Sequence, residues 1–206
     1  QQAARDSIHA QWEQGRLRTL LVLPTGTGKT IVFASVAADQ VRAGDRVLVL
    51  AHRGELLEQA ADKLQRSTGL VSAVEKAEST CLNSWFRVVV GSVQTLQRPA
   101  RLERFPRDYF GTIIIDEAHH SITDGYRRIL DYFEGAKVLG VTATPDRGDM
   151  RNLGEVFDSL AYEYKLTDAI KEGYLCKIMA QTIPLQLDIS GVALSGGDYA
   201  VGELGT

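Results

Sequence analysis

Cysteine is scarce: 206 residues hold two, Cys81 and Cys176, far apart and without metal-type spacing. That argues against a disulfide-stapled scaffold and against a cysteine-built zinc site. It fits two free thiols in a reducing compartment, and the sequence is therefore read as cytoplasmic. Long apolar runs are also lacking, since none reaches the roughly 18 residues of a membrane span. No signal peptide is visible. An excess of positive charge is missing as well: 23 Lys and Arg stand against 26 Asp and Glu, a net −3. The chain as a whole does not attract nucleic acid, so any such binding must use a local basic surface. No internal repeat or low-complexity tract stands out. The sequence starts without Met and stops after Gly202-Glu203-Leu204-Gly205-Thr206, which reads as a piece of something longer.

What is present is a globular composition, with 44% hydrophobic and 24% charged residues. The length allows one large domain or two small ones. The stretch that organises the rest is Leu23-Pro24-Thr25-Gly26-Thr27-Gly28-Lys29-Thr30. An apolar run at 19–23 precedes it and reads as a buried strand. An apolar-periodic run at 31–41 follows it and reads as a helix. Strand, glycine turn, Lys-Thr and helix form the P-loop arrangement. Glycines let backbone N–H groups converge on an anion, and the helix aims its positive dipole end at the same spot. Lys29 would serve the β- and γ-phosphates of a nucleotide, and the Thr30 hydroxyl would bind Mg²⁺. The strict pattern places Gly where this chain has Leu23.

Around that stretch, strand and helix patterns alternate. Residues 1–13 have helical spacing, with Ala4, Ile8 and Trp12 on one stripe. Strands are expected at 46–51, 71–74, 86–90, 112–115, 138–141, 160–164 and 178–183. Helices are expected from residue 54, at 126–133 and at 166–172. The near-continuous apolar run at 46–51 belongs to a sheet covered on both faces. A one-turn helix with a basic outer side is expected at 99–107, where Arg101, Arg104 and Arg107 surround Leu102 and Phe105. The alternation predicts an α/β fold, a doubly wound and mostly parallel sheet flanked by helices. Residues 1–183 read as one domain. Residues 184–206, rich in Gly, Ser and Asp, read as a mobile edge or the start of a linker.

In such a sheet ligands sit at the carboxyl ends of the strands, and the polar motifs fall there. Ile113-Ile114-Ile115 delivers Asp116 and Glu117, two adjacent carboxylates at a strand end. A P-loop enzyme needs a carboxylate near Mg²⁺ and a group that orients or deprotonates water. Adjacent positions can serve both needs because their side chains diverge. His52-Arg53 and Thr142-Ala143-Thr144 end two further strands.

These motifs together resemble superfamily 2 helicases of the DEAD/DEAH type. Gly26-Thr27-Gly28-Lys29-Thr30, Asp116-Glu117-Ala118-His119 and Thr142-Ala143-Thr144 look like their motifs I, II and III. Ala51-His52-Arg53-Gly54-Glu55-Leu56 and Gly91-Ser92-Val93-Gln94-Thr95-Leu96 look like motifs Ia and Ib. Thr144-Pro145-Asp146-Arg147 and Ala169-Ile170-Lys171-Glu172-Gly173-Tyr174-Leu175 resemble the branch that holds type III restriction-enzyme helicase subunits and RadD-like repair ATPases.

The resemblance implies a RecA-like ATP-binding domain, the first of two in a nucleic-acid motor. It implies that Thr25, Gly26, Thr27, Gly28, Lys29 and Thr30 hold ATP, and that Thr30 and Asp116 hold Mg²⁺. Glu117 would be the general base, and His119, Thr142 and Thr144 would couple hydrolysis to motion. Gln1, with Gln2 as the alternative, sits where the family places an adenine-reading glutamine. Arg53 and Thr95, with His52 and Gln94 nearby, are the candidates for phosphate contacts on nucleic acid, which carry no sequence information. DNA is favoured over RNA by the restriction and repair resemblance. The second RecA-like domain, which would supply an arginine finger worth roughly 10³–10⁵ in rate, is not recognisable in these residues. The fragment alone is therefore expected to hydrolyse ATP poorly. A non-translocating P-loop ATPase, or a nucleic-acid-binding module that keeps the fold, are the alternatives.

Overall fold

The computed structural model describes residues 1–51, 54–143 and 152–179, with backbone alone at 54–59, 122, 194–195 and 198–199. Residues 1–176 and 177–206 form two compact units. The first unit contains, in order, α1 (Gln2–Glu13), β1 (Arg18–Val22), α2 (Lys29–Arg42), β2 (Val47–Ala51), α3 (Gly54–Thr68), β3 (Ser72–Glu75) and β4 (Val88–Ser92). It continues with α4 (Val93–Leu96), α5 (Pro99–Leu102), β5 (Thr112–Asp116), a 3-10 turn (Ala118–Ile122), α6 (Asp124–Tyr132), β6 (Lys137–Thr142), β7 (Ser159–Glu163) and α7 (Leu166–Lys171). In the second unit a short antiparallel pair joins β8 (Leu194–Ser195) to β9 (Asp198–Tyr199). Among the described residues no helix is long and apolar enough to cross a membrane.

Seven strands form one sheet in the order β3-β4-β2-β5-β6-β1-β7, and every neighbouring pair is parallel. The expected doubly wound α/β architecture is therefore present. Strand side chains alternate between two buried layers. Leu20, Leu48, Leu50, Val89, Ile113, Ile115 and Val138 face the layer that contains α4, α5 and α6. Leu21, Val47, Val49, Val88, Val90, Ile114, Leu139 and Val141 face the layer of α1, α2 and α3. Both faces are dry, which is why the strands read as unbroken apolar runs. Each fully buried aliphatic side chain in these layers contributes roughly 1.5–3 kcal/mol.

The helix ends follow the chain's chemistry. Ala4, Ile8 and Trp12 bury the inner stripe of α1. Gly44 and Gly69 follow α2 and α3 with φ of +99° and +72°, the left-handed conformation that ends helices at low cost. Most boundaries shift by one or two residues from the sequence reading, and two elements differ more. The strand expected at 86–90 is Val88–Ser92. Gly91 lies inside it, where a Cβ would meet Leu96 Cδ1 at 2.7 Å and Leu48 Cδ1 at 2.9 Å, so the close packing favours glycine. The strand expected at 178–183 begins with Ile178 and Met179, which are irregular and exposed; residues 180–183 lie outside the described residues.

Candidate active site at the carboxyl edge of the sheet

Because β1, β6 and β5 are neighbours, the segments leaving their carboxyl ends lie side by side. Leu23 extends β1 by one more bond, its N–H donating to the Thr142 carbonyl at 3.0 Å. Its side chain is buried in the core, so the position where the strict P-loop pattern has glycine is here spent on packing. The turn closes one residue later. Both the N–H and the hydroxyl of Thr27 donate to the Pro24 carbonyl, at 3.2 Å and 2.7 Å. Gly26 and Gly28 take φ of +89° and +97°. At Gly28 the positive φ requires glycine, and a Cβ there would lie 2.3 Å from Gln1 Nε2. The Gln1 amide therefore lies directly against the loop. Helix α2 then starts at Lys29 with no acidic residue in its first turn. The first-turn N–H groups of a helix have no intrahelical partner, so this end suits an anion.

The acidic pair faces that loop. Lys29 Nζ lies 3.6 Å from Glu117 Oε1, with the lysine side chain 12% and the glutamate 42% exposed. Glu117 adopts φ +53°, a left-handed conformation that costs a non-glycine residue on the order of 1 kcal/mol and clusters at functional sites. Asp116 Oδ1 accepts the Glu117 N–H at 3.0 Å. Burial and the neighbouring Glu117 charge push the Asp116 carboxyl above its ordinary range, against the pull of that N–H, Lys29 and Lys63. His119 Nδ1 stands 3.6 Å from Glu117 Oε2 and 3.4 Å from the Thr142 hydroxyl. Thr142 is fully buried.

A lysine, a pair of carboxylates and a glycine turn at a helix start can bind a phosphate chain and orient a water beside it. Among the described residues no group of three or more His, Cys, Asp or Glu side chains forms a protein-only metal cage. Mg²⁺ is commonly held by one or two carboxylates plus substrate phosphates rather than by such a cage. The Asp116 carboxylate beside this loop fits that kind of site.

The remaining sequence candidates fall in different places. Thr25 and Gly26 are exposed, and Thr30 is half-buried in the first turn of α2. Gln94 is at the surface, where its Oε1 accepts from Ser92 Oγ at 2.9 Å. Thr95 is 9% exposed, and its hydroxyl accepts the Ala77 N–H at 3.1 Å, so it points into the segment after β3. His52, Arg53 and Thr144 lie outside the described residues.

The sequence reading missed a cleft of about 530 Å³ beside the loop, lined by Gln1, Gly26, Gly28, Ile31, Tyr164 and Tyr174 among others. Tyr164 Oη donates to Glu172 Oε2 at 2.7 Å. Desolvation and the Glu172 carboxylate push the Tyr164 hydroxyl up to about 12. The signal for it in the sequence is the segment Glu172-Gly173-Tyr174.

Comparison with known proteins finds relatives along most of the chain. The model of the family "Type III restriction enzyme, res subunit" matches residues 1–147. The chain is 33% identical over 218 residues to the putative ATP-dependent helicase IRC3 of Saccharomyces cerevisiae, covering 99% of this chain and 31% of that protein. It is 28% identical to the type I restriction enzyme EcoAI endonuclease subunit of Escherichia coli, covering 92% of this chain and 24% of the relative. The crystal structure of the Pyrococcus furiosus Hef helicase domain superposes with a TM-score of 0.63 at 26% identity, covering 79% of this chain and 37% of that one. The chain thus spans a third or less of the length of these two curated relatives.

Proposed function

Because the chain belongs to the type III restriction enzyme res-subunit family, we propose that it is the first ATP-hydrolysing domain of a helicase or translocase that moves on nucleic acid, DNA in preference to RNA. The observation that carries this reading is the 3.6 Å approach of Lys29 to Glu117 across the mouth of the glycine turn. In this reading the backbone of residues 25–30 and the Lys29 ammonium bind the β- and γ-phosphates. Thr30 and Asp116 would hold magnesium. When bound, the ion would neutralise charge developing on the phosphate oxygens. Glu117 accepts a proton from the attacking water, and its carboxylate lies beside the Lys29 ammonium, 3.6 Å away. His119 and Thr142, with Thr144, pass the state of the site to the rest of the motor.

Residues 1–183 are assigned to this domain, and 184–206 to its edge or to a linker. Gln94 and Thr95 follow β4, and His52 and Arg53 follow β2 in sequence; these four are proposed for contacts to a nucleic-acid backbone, with Thr95 itself buried. The preference for DNA rests on the restriction-enzyme family and on the restriction subunit among its relatives.

The test is steady-state phosphate release by the full-length protein with Mg²⁺ and single-stranded DNA, RNA of the same sequence, or neither. Stimulation by DNA several-fold above RNA is expected. Equal turnover in all three would favour a non-translocating ATPase, and stimulation by RNA alone would overturn the DNA preference.

A further inference from the structure

We propose that β7, α7 and the turn after them form the base-binding wall of the nucleotide site, with the Tyr174 ring stacking on the nucleobase and the Tyr164–Glu172 pair holding that wall in place. The inference rests on the phosphate-binding role proposed for residues 25–30 and extends it to the other end of the nucleotide.

The wall is tied to the glycine turn at both of its ends. Strand β7 runs parallel beside β1, and the Tyr164 N–H donates to the Val22 carbonyl at 2.9 Å, just before the loop. At the far end Leu175 Cδ2 reaches within 3.2 Å of the point where a Cβ on Gly26 would lie. Between these ties the chain folds back on itself. Ala169 of α7 is fully buried. Its carbonyl accepts the N–H groups of both Tyr174 and Leu175, at 2.9 Å and 3.1 Å. Gly173, at φ +80°, makes the reversal. The Tyr164 hydroxyl bond to Glu172 closes the arch across its middle.

This arrangement leaves a ring without a structural use. Tyr174 is 71% exposed and meets Tyr164 edge-on, at 6.5 Å and 78°. The cleft it lines is also lined by Ile31, itself 49% exposed, and by Gln1, whose amide lies against Gly28. A flat aromatic face, an exposed aliphatic side chain in the same cleft and an amide with one donor and one acceptor group are what a nucleobase needs. The ring gives stacking that any base accepts, and the amide can pair with the base edge. The position is right for one molecule, since the same cleft is bounded by Gly26, Thr27 and Gly28 at its phosphate end.

The experiment compares two ligands on the full-length protein, Mg·ADP and Mg·tripolyphosphate, by equilibrium titration. It adds the kcat and KM for ATP. Tyr174→Ala should weaken Mg·ADP about tenfold, the lower part of what a lost stack costs, and leave tripolyphosphate unchanged. KM for ATP should rise by a similar factor with kcat unaltered. Tyr174→Phe keeps the ring and should restore wild-type values, and Tyr164→Phe should weaken Mg·ADP by a smaller factor. Equal binding of Mg·ADP by wild type and Tyr174→Ala would overturn the proposal. So would an equal loss of both ligands. Lys29→Ala separates the two readings: it should weaken both ligands, and if tripolyphosphate binds it as well as wild type, the phosphate assignment fails and the base wall falls with it.

Discussion

His119 Nδ1 lies 3.4 Å from the buried Thr142 hydroxyl, joining the turn after β5 to the end of its neighbour β6. One such bond is worth about 0.5–1.5 kcal/mol, so its loss should change coupling by up to about tenfold. In the full-length protein, His119→Ala and Thr142→Val are each expected to leave basal ATP hydrolysis within about threefold and to cut its stimulation by nucleic acid by up to about tenfold. The double variant should be no worse than the single ones, which a double-mutant cycle on the stimulated rate measures.

Asp39 ties α1 to α2 and so holds Gln1 near the loop. It accepts from Arg5 at 2.6 Å and 2.7 Å and from Arg42 at 2.9 Å, and pairs with His9 at 3.1 Å. Burial would raise its carboxyl, but the hydrogen bonds and charges of Arg5 and His9 outweigh burial and hold it below its ordinary value. A depressed folded value means the stabilisation is complete above the unfolded value, about 4, and is lost as pH falls below it through the folded value. Asp39→Asn should cost about 1–2 kcal/mol at pH 7. The gap from wild type should close in denaturant melts as pH is lowered below about 4.

Glu75 is fully buried at the end of β3, where Arg101 Nε donates to it and the Cys81 N–H adds a bond at 2.7 Å. Arg101→Ala strands that carboxylate and should cost about 3–5 kcal/mol. Desolvation and the Glu75 charge push the Cys81 thiol up to about 12, so it is a poor nucleophile as well as a buried one. In the native wild type a thiol reagent should modify the exposed Cys176 alone. In Arg101→Ala, Cys81 should become reactive at a rate that follows the loss of stability.

The strands that were easiest to read are those buried on both faces, such as Val47–Ala51, where every residue is inside. The acidic pair was legible because three isoleucines lead straight into it. What the sequence does not contain is strand order. Lys29 reaches Glu117 because β6 alone separates β1 from β5, and the tyrosine-lined cleft exists because β7 docks on the free edge of β1. Neither neighbour relation leaves a local mark. From sequence Arg101 belongs to a basic outer side, because charged residues default to water. Its guanidinium instead turns inward to Glu75, a partner 26 positions away. The early start given to β4 came from the strand-favouring Phe86. That ring stacks on the exposed Trp85 at 4.6 Å, and the ladder begins after it.

The claim on which the functional reading depends is that Lys29 and Glu117 act on one triphosphate. It is tested most directly by measuring Mg·ATP affinity and hydrolysis together in the full-length Glu117→Gln variant, with Lys29→Ala alongside. The account predicts that Glu117→Gln binds Mg·ATP within about threefold of wild type while turnover falls by about 10²-fold or more, and that Lys29→Ala loses affinity itself. Turnover by Glu117→Gln at the wild-type rate would contradict it.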